Sequence, residues 1–214
     1  MAAKGLIHGP LGPDCLHLCI DMQRLFGPGY PWAMPWLERV LPAVEALSAV
    51  AAGRSLFTRF IPPQNPRQAG GAWARYYRRW ADVTLDRIGP DAVRLVPELE
   101  RFVPPGRVFD KTVYSPWADG RLARLVHGEG IDTVVITGGE TDVCVLAAVM
   151  GAIDLGLRTI IVTDALCSSS DETHDALMGL YLNRFSEQLE AAETEELLQA
   201  WPRMGARADA LRHF

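Results

Sequence analysis

The sequence predicts a doubly wound α/β domain, a mainly parallel sheet with helices on both faces. Three observations carry this. Short, nearly continuous apolar runs alternate with segments whose apolar residues recur at helical spacing, and the connections between them are a few residues long. The runs lack polar alternation, as strands buried on both faces must. Finally, 214 residues, 49% of them hydrophobic and 22% charged, suit one compact domain over 1–214. Such a chain buries roughly 70% of its unfolded surface and needs no disulfide or structural metal.

Cys15–Ile20 is the first apolar run, closed by Asp21. Residues 36–52 place Leu37, Val40, Leu41, Val44, Leu47 and Val50 at helical spacing and stop at Gly53, a residue suited to a helix C-cap. A second strand spans 55–61, closed by Pro62 and Pro63, and a short aromatic helix spans 72–80. Residues 89–106 read as mostly loop, because Pro90, Pro97, Pro104 and Pro105 interrupt regular structure. A short strand follows at 108–111. Asp119 can cap a helix running through Leu122, Leu125 and Val126 to Gly130. Residues 133–137 form the fourth strand, 142–156 a helix capped by Thr141 or Asp142, and 158–162 the fifth strand. A helix opens at Asp171 or Thr173, a short strand covers 187–190, and a final helix covers 194–201. No repeat, low-complexity tract or linker suggests a second domain.

A net charge of −5 argues against a nucleic-acid surface, which needs clustered excess Lys and Arg. The arginines of 75–79 alternate with aromatics and read as a helix beside a pocket mouth. No charged segment leading into a long apolar run opens the chain, and no apolar run reaches the ~20 residues that span a bilayer. A cytoplasmic protein without membrane contact is expected. Among the four cysteines there is no Cys-x2-Cys pair, and Cys15 and Cys19 read as small core hydrophobes.

Ligands of such sheets bind beyond the carboxyl ends of the strands. That rim carries Asp21 after the first strand, Arg59 in the second, Lys111 at the third, the segment 138–144 after the fourth, and 164–170 after the fifth. Cys144 follows Gly138 and Gly139 into a helix start, where unpaired N–H groups and the helix dipole favour a thiolate. The glycines remove Cβ clashes at the strand exit, for an unusual backbone geometry or an ordinary tight turn. Together the groups can perform acyl transfer. Cys144 would attack a carbonyl carbon, Asp21 would take the thiol proton and return it to the leaving nitrogen, and Lys111 would hold both anions. Asp164 reads as a loop anchor.

Three segments carry a resemblance. Cys19-Ile20-Asp21-Met22-Gln23, Asp110-Lys111-Thr112-Val113-Tyr114-Ser115 and Thr137-Gly138-Gly139-Glu140-Thr141-Asp142-Val143-Cys144 are similar, in order, to the signature segments of the isochorismatase-like cysteine hydrolases. The resemblance implies a Rossmann-like three-layer α/β/α fold and an Asp–Lys–Cys triad at Asp21, Lys111 and Cys144. It further implies a non-proline cis peptide at Gly139–Glu140, with the backbone N–H groups of Glu140 and Cys144 as oxyanion hole. It also suggests a homodimer or homotetramer.

Relatives that hydrolyse nicotinamide resemble this chain in the triad but add a metal site of Asp and His after the second strand. Here residues 57–66 offer neither, and no histidine lies between His17 and His127. No metal or cofactor is therefore expected. Arg59 stands near the first ligand position, either clamping a substrate carboxylate or forming an internal salt bridge. Phe26, Trp73, Tyr76, Trp80, Tyr114 and Trp117 could wall a pocket or pack between subunits. The substrate-binding set is taken as Phe26, Arg59, Tyr114 and Trp117. True isochorismatases cleave a vinyl ether and need no cysteine at the position of Cys144, so its presence favours a C–N bond. The leading expectation is a metal-independent cysteine amidohydrolase acting on a small carboxamide, ureide or carbamoyl compound through a thioester. The alternatives are a vinyl-ether hydrolase using Asp21 as acid, and a non-catalytic thiol redox sensor or binding protein.

Overall fold

The computed structural model describes residues 5–201, so the two ends of the expected 1–214 domain lie outside the described residues. The elements run β1 (Cys15–Ile20), α1 (Leu37–Val50), β2 (Ser55–Phe60), α2 (Gly71–Arg79), α3 (Leu85–Ala92), α4 (Pro97–Glu100) and β3 (Arg107–Lys111). They continue with α5 (Arg121–Gly128), β4 (Thr133–Gly139), α6 (Cys144–Asp154), β5 (Arg158–Cys167), α7 (Asp171–Arg184), β6 (Leu189–Ala192) and α8 (Thr194–Ala200). The six strands form one sheet in the order β3-β2-β1-β4-β5-β6, and every pairing is parallel. The order reverses between β1 and β4, which opens a crevice at their carboxyl ends.

Both faces of the sheet are covered. Cys15, Cys19, Phe57, Val135 and Ile160 pack with Val40, Val44 and Leu47 of α1 and Leu197 of α8. Leu16, Leu18, Ile20, Val134 and Ile136 pack with Val126 of α5, Val145, Ala148 and Val149 of α6, and Tyr181 of α7. All six residues of β1 and all seven of β4 are buried. Each large apolar side chain so enclosed contributes about 1.5–3 kcal/mol. The site therefore stands at the ends of the two fully buried central strands. Among the described residues no helix is long and apolar enough to cross a membrane.

One local expectation is refined and one corrected. Residues 89–106 are mostly turns and loop, as expected, interrupted by the end of α3 and the four-residue α4. Pro97 sits in the first turn of α4, where its missing N–H costs nothing, and Pro90 follows a kink at Gly89 (φ 74). Burial of Ala92, Leu95, Val96 and Leu99 holds these turns against the core. The residue flanking α5 is Gly120 (φ 73) and not Asp119, whose Oδ1 accepts from the Arg121 N–H at 2.9 Å.

Candidate active site

The chain leaves β1 through Asp21, whose φ of 49° makes it the single non-glycine residue with positive φ among the described residues. Aspartate tolerates that conformation better than most residues. Its N–H donates to Thr58 Oγ1 at 3.1 Å, and the Thr58 hydroxyl donates to Oδ1 at 2.5 Å. Lys111, the last residue of β3, extends past the end of β2 to donate Nζ to Asp21 Oδ2 at 2.6 Å. The same ammonium lies 3.4 Å from Cys144 Sγ and 3.3 Å from Val113 O. Phe60 flanks it, with Nζ 5.1 Å from the ring centre. Asp21, Lys111 and Cys144 are only 0%, 4% and 5% exposed, so this contact is screened little by water.

The approach to Cys144 depends on two glycines. A Cβ on Gly138 (φ +101) would overlap the Ile20 carbonyl oxygen, and one on Gly139 would strike Met34 Sδ and lie 3.1 Å from Cys167 O. The Gly139–Glu140 peptide is cis. Beyond it the chain is tied to the end of β5: Thr141 N–H and Oγ1 both donate to Cys167 O, at 2.9 and 3.1 Å. Tyr181 Oη donates to Thr141 O at 3.0 Å, and the Ser168 hydroxyl donates to Asp142. These bonds overturn the expected N-cap. Thr141 and Asp142 are committed to the β5–α7 segment, and α6 is preceded by Val143 without a side-chain cap. The N–H groups of Val143 and Val145 donate to Glu140 O at 3.1 and 3.0 Å. Those of Glu140 and Cys144 have no acceptor among the described residues.

The thiol is not easily ionised in the free protein, contrary to the reading of the helix start. Burial pushes Cys144 well above the ordinary thiol range, and the Asp21 charge adds to this while Lys111 opposes it. At 5% exposure the residue is cut off from the water that would solvate a thiolate. Burial also works to lower the Lys111 ammonium, but the charge of Asp21 beside it holds it above its usual value. The resting arrangement is a neutral thiol beside a carboxylate–ammonium pair.

Other rim residues are placed differently from one another. Arg59 forks onto Asp110, its register partner on β3, with Nε–Oδ1 at 2.7 Å and Nη2–Oδ2 at 2.8 Å. Of the two roles open to it, the internal salt bridge is the one formed. Trp117 donates Nε1 to Ala148 O at 2.9 Å and fills the notch at Gly151, so it packs against α6. Phe26 is buried beneath Trp32, ring centres 6.2 Å apart. Tyr114 stacks on Phe60 at 6.4 Å and meets Trp73 edge-on at 4.8 Å. On α2 the rings of Trp73, Tyr76 and Tyr77 turn inward while Arg75, Arg78 and Arg79 are exposed. Sequence reasoning missed Thr58, Phe60 and Trp32. The first two are hidden within an unremarkable strand, and the third within a Gly/Pro-rich connection that no periodicity marks.

The arrangement offers a nucleophile, a proton acceptor hydrogen-bonded by two donors, and two free N–H groups at the nucleophile's turn. Among the described residues no three His, Cys, Asp or Glu side chains come together to hold an ion. The segment following β2, where some relatives carry ligands, is Ile61-Pro62-Pro63-Gln64-Asn65-Pro66 and does not fit such a metal.

Comparison with known proteins identifies the family. The isochorismatase domain model matches residues 15–193. Maleamate amidohydrolase of Pseudomonas putida is 30% identical over 163 residues, covering 74% of this chain and 75% of that protein. Nicotinamidase 3 of Arabidopsis thaliana is 29% identical over 167 residues, covering 76% and 78%. The fold is shared with a cysteine hydrolase from Pseudomonas syringae, with a TM-score of 0.76 at 18% identity, covering 92% of this chain and 97% of that one. By its sequence segments, its sheet order and the family match over most of its length, the chain belongs to the isochorismatase family of hydrolases.

Proposed function

We propose that the protein is a metal-independent cysteine amidohydrolase that releases ammonia from a small carboxamide through a thioester on Cys144. The observation that carries this is Lys111 Nζ bridging Asp21 Oδ2 at 2.6 Å and Cys144 Sγ at 3.4 Å. The amide-cleaving activities named for the two sequence relatives support the same bond class. In the first step Sγ attacks the carbonyl carbon while the S–H proton passes to Asp21, so the thiolate need not exist beforehand. The oxyanion accepts from the Glu140 and Cys144 N–H groups. Collapse breaks the C–N bond, and Asp21 returns the proton to the departing nitrogen. Asp21 then takes a proton from water, whose oxygen attacks the thioester. The C–S bond breaks, the acid leaves, and Cys144 recovers its proton. Lys111 stays charged throughout and balances the negative charge as it moves between carboxylate and sulfur.

The test is ammonia release from a panel of maleamate, nicotinamide and simple ureides, with intact-mass analysis of the enzyme during turnover. An acyl adduct on Cys144 and loss of release in Cys144→Ala are expected. Full turnover by that variant would overturn the mechanism.

A further inference from the structure

Two buried polar side-chain atoms have no hydrogen-bond partner among the described residues: Tyr77 Oη and Trp32 Nε1. Buried polar atoms are nearly always satisfied, and leaving one unpaired is costly. Both belong to an aromatic cluster centred on Phe60, the ring flanking the Lys111 ammonium. Trp32 meets Phe60 at 6.0 Å and Tyr76 at 5.8 Å; Trp73 meets Phe60 at 6.2 Å and stacks on Tyr77 at 6.0 Å. Tyr77 is only 2% exposed. It reaches the triad through Trp73, whose ring meets Tyr114 at 4.8 Å as well as Phe60.

We infer that Tyr77 and Trp32 are substrate-recognition residues whose hydroxyl and indole N–H bind an oxygen acceptor at the end of a small planar acyl group remote from the scissile amide. The inference rests on the amidohydrolase reading above and names the substrate class within it. An acceptor is required because the indole N–H can only donate. Planarity follows from the aromatic surroundings of both atoms, because a conjugated acyl group can stack between parted rings and a branched one cannot. The two atoms are sealed in the free protein, so the ligand must part the rings. Helix α2 carries Trp73, Tyr76 and Tyr77 and begins at Gly70 and Gly71, the latter at φ +56 with open space around its Cβ position. That junction is the natural place for α2 to give way. A site that loses this acceptor then leaves two buried donors unpaired, which is how hydrogen-bonding sites reject analogues.

Three matched probes test this: maleamate with a distal carboxylate, maleamide with a neutral distal carbonyl, and isocrotonamide with a methyl in its place. Wild-type protein should prefer the first two over the third. In Tyr77→Phe and in Trp32→Phe that preference should fall about fivefold to tenfold, carried by KM more than kcat. Comparing maleamate with maleamide shows whether the acceptor is anionic or neutral. Equal effects on all three probes, or none, would overturn the inference. A second readout does not depend on turnover. Ligand-free Tyr77→Phe should melt at the same temperature as wild type or higher, since it deletes an unpaired polar atom; a clear drop would mean the hydroxyl is satisfied within the protein, and would equally sink the idea. Binding of maleamide to Cys144→Ala, followed by tryptophan fluorescence, should weaken when Tyr77→Phe is added. Failure of the thioester mechanism would instead appear as turnover by Cys144→Ala, and leaves the melting and binding results to decide recognition alone.

Discussion

Lys111 and Asp21 form an ion pair 2.6 Å long whose side chains are 3% and 0% exposed, and the same ammonium touches the Cys144 sulfur. Buried pairs of this kind seldom add net stability over an apolar pair, yet removing one partner leaves an uncompensated charge. Selection for chemistry is the simplest account of a pair placed at this depth.

Lys111→Met should therefore fail twice. Stability should drop by about 3 kcal/mol, roughly 10 °C in Tm, because the Asp21 carboxylate is left buried with Thr58 as its remaining side-chain donor. Amidase turnover should fall about a thousandfold. Adding Asp21→Leu should restore much of the stability and none of the turnover. Thermal melts and ammonia release of the three proteins distinguish a catalytic pair from a structural one, which would regain both or neither.

The thiol makes a prediction about pH. Since burial and Asp21 raise Cys144 well above the usual thiol range, its thiolate is scarce at neutral pH. Alkylation by iodoacetamide should run slower at pH 7.5 than for a free cysteine and keep rising as pH passes 9, with no plateau below. Cys144→Ala, in which Cys15, Cys19 and Cys167 remain buried, provides the background. A rate already saturated near pH 7 would show a preformed thiolate and contradict the coupled proton transfer.

The difference between what was readable and what was not follows from the range of each interaction. Asp21, Lys111 and Cys144 stand at strand ends, and strand ends show in sequence because the apolar run stops there. The parallel order then brings those ends to one rim. Proline 97 shows the limit: the residue that breaks a helix from within also starts one at its first turn, and only the burial of Leu99 decides between them. The thiol shows it again, since the helix start is local and visible, whereas the enclosure of Cys144 is tertiary. Arg59 sits opposite Asp110 through strand register, which spacing alone does not give.

His17 gives a stability prediction. Ser55 Oγ donates to Ala51 O at 3.2 Å, so it accepts from His17 Nδ1–H at 3.0 Å, and His17 Nε2 is left to accept from the Thr137 hydroxyl at 2.8 Å. Full burial lowers the folded-state pKa from 6.5 to about 3. The unfolded chain therefore binds the extra proton first, and stability falls as pH drops from about 6.5 towards 3, by up to about 5 kcal/mol. His17→Gln should shift acid unfolding to lower pH and reduce the pH dependence between 6 and 4 by one proton. An unchanged slope in denaturant titrations would show that His17 is not the group responsible.

Gly138 tests how tightly the nucleophile's turn is set. It pairs with Ile20 on one side and Leu166 on the other, at φ 101, where the β4–β5 register shifts. A methyl there would overlap the Ile20 carbonyl oxygen and lie 2.8 Å from the Ile20 nitrogen. Neither atom can move without breaking the ladder that ends in Asp21, and the φ itself disfavours a side chain. Gly138→Ala should cost roughly 3 kcal/mol, since strain and overpacking act together. More telling is the catalytic effect, because the shift would separate Asp21 from Cys144 by moving the strand that carries each. Turnover should fall about a hundredfold even at temperatures where circular dichroism shows the protein folded. Gly156→Ala, also at positive φ but with open space around its Cβ position, is the control for backbone strain without the clash. It should lose some stability and keep its activity, and equal losses in the two variants would remove the geometric link between Gly138 and the site.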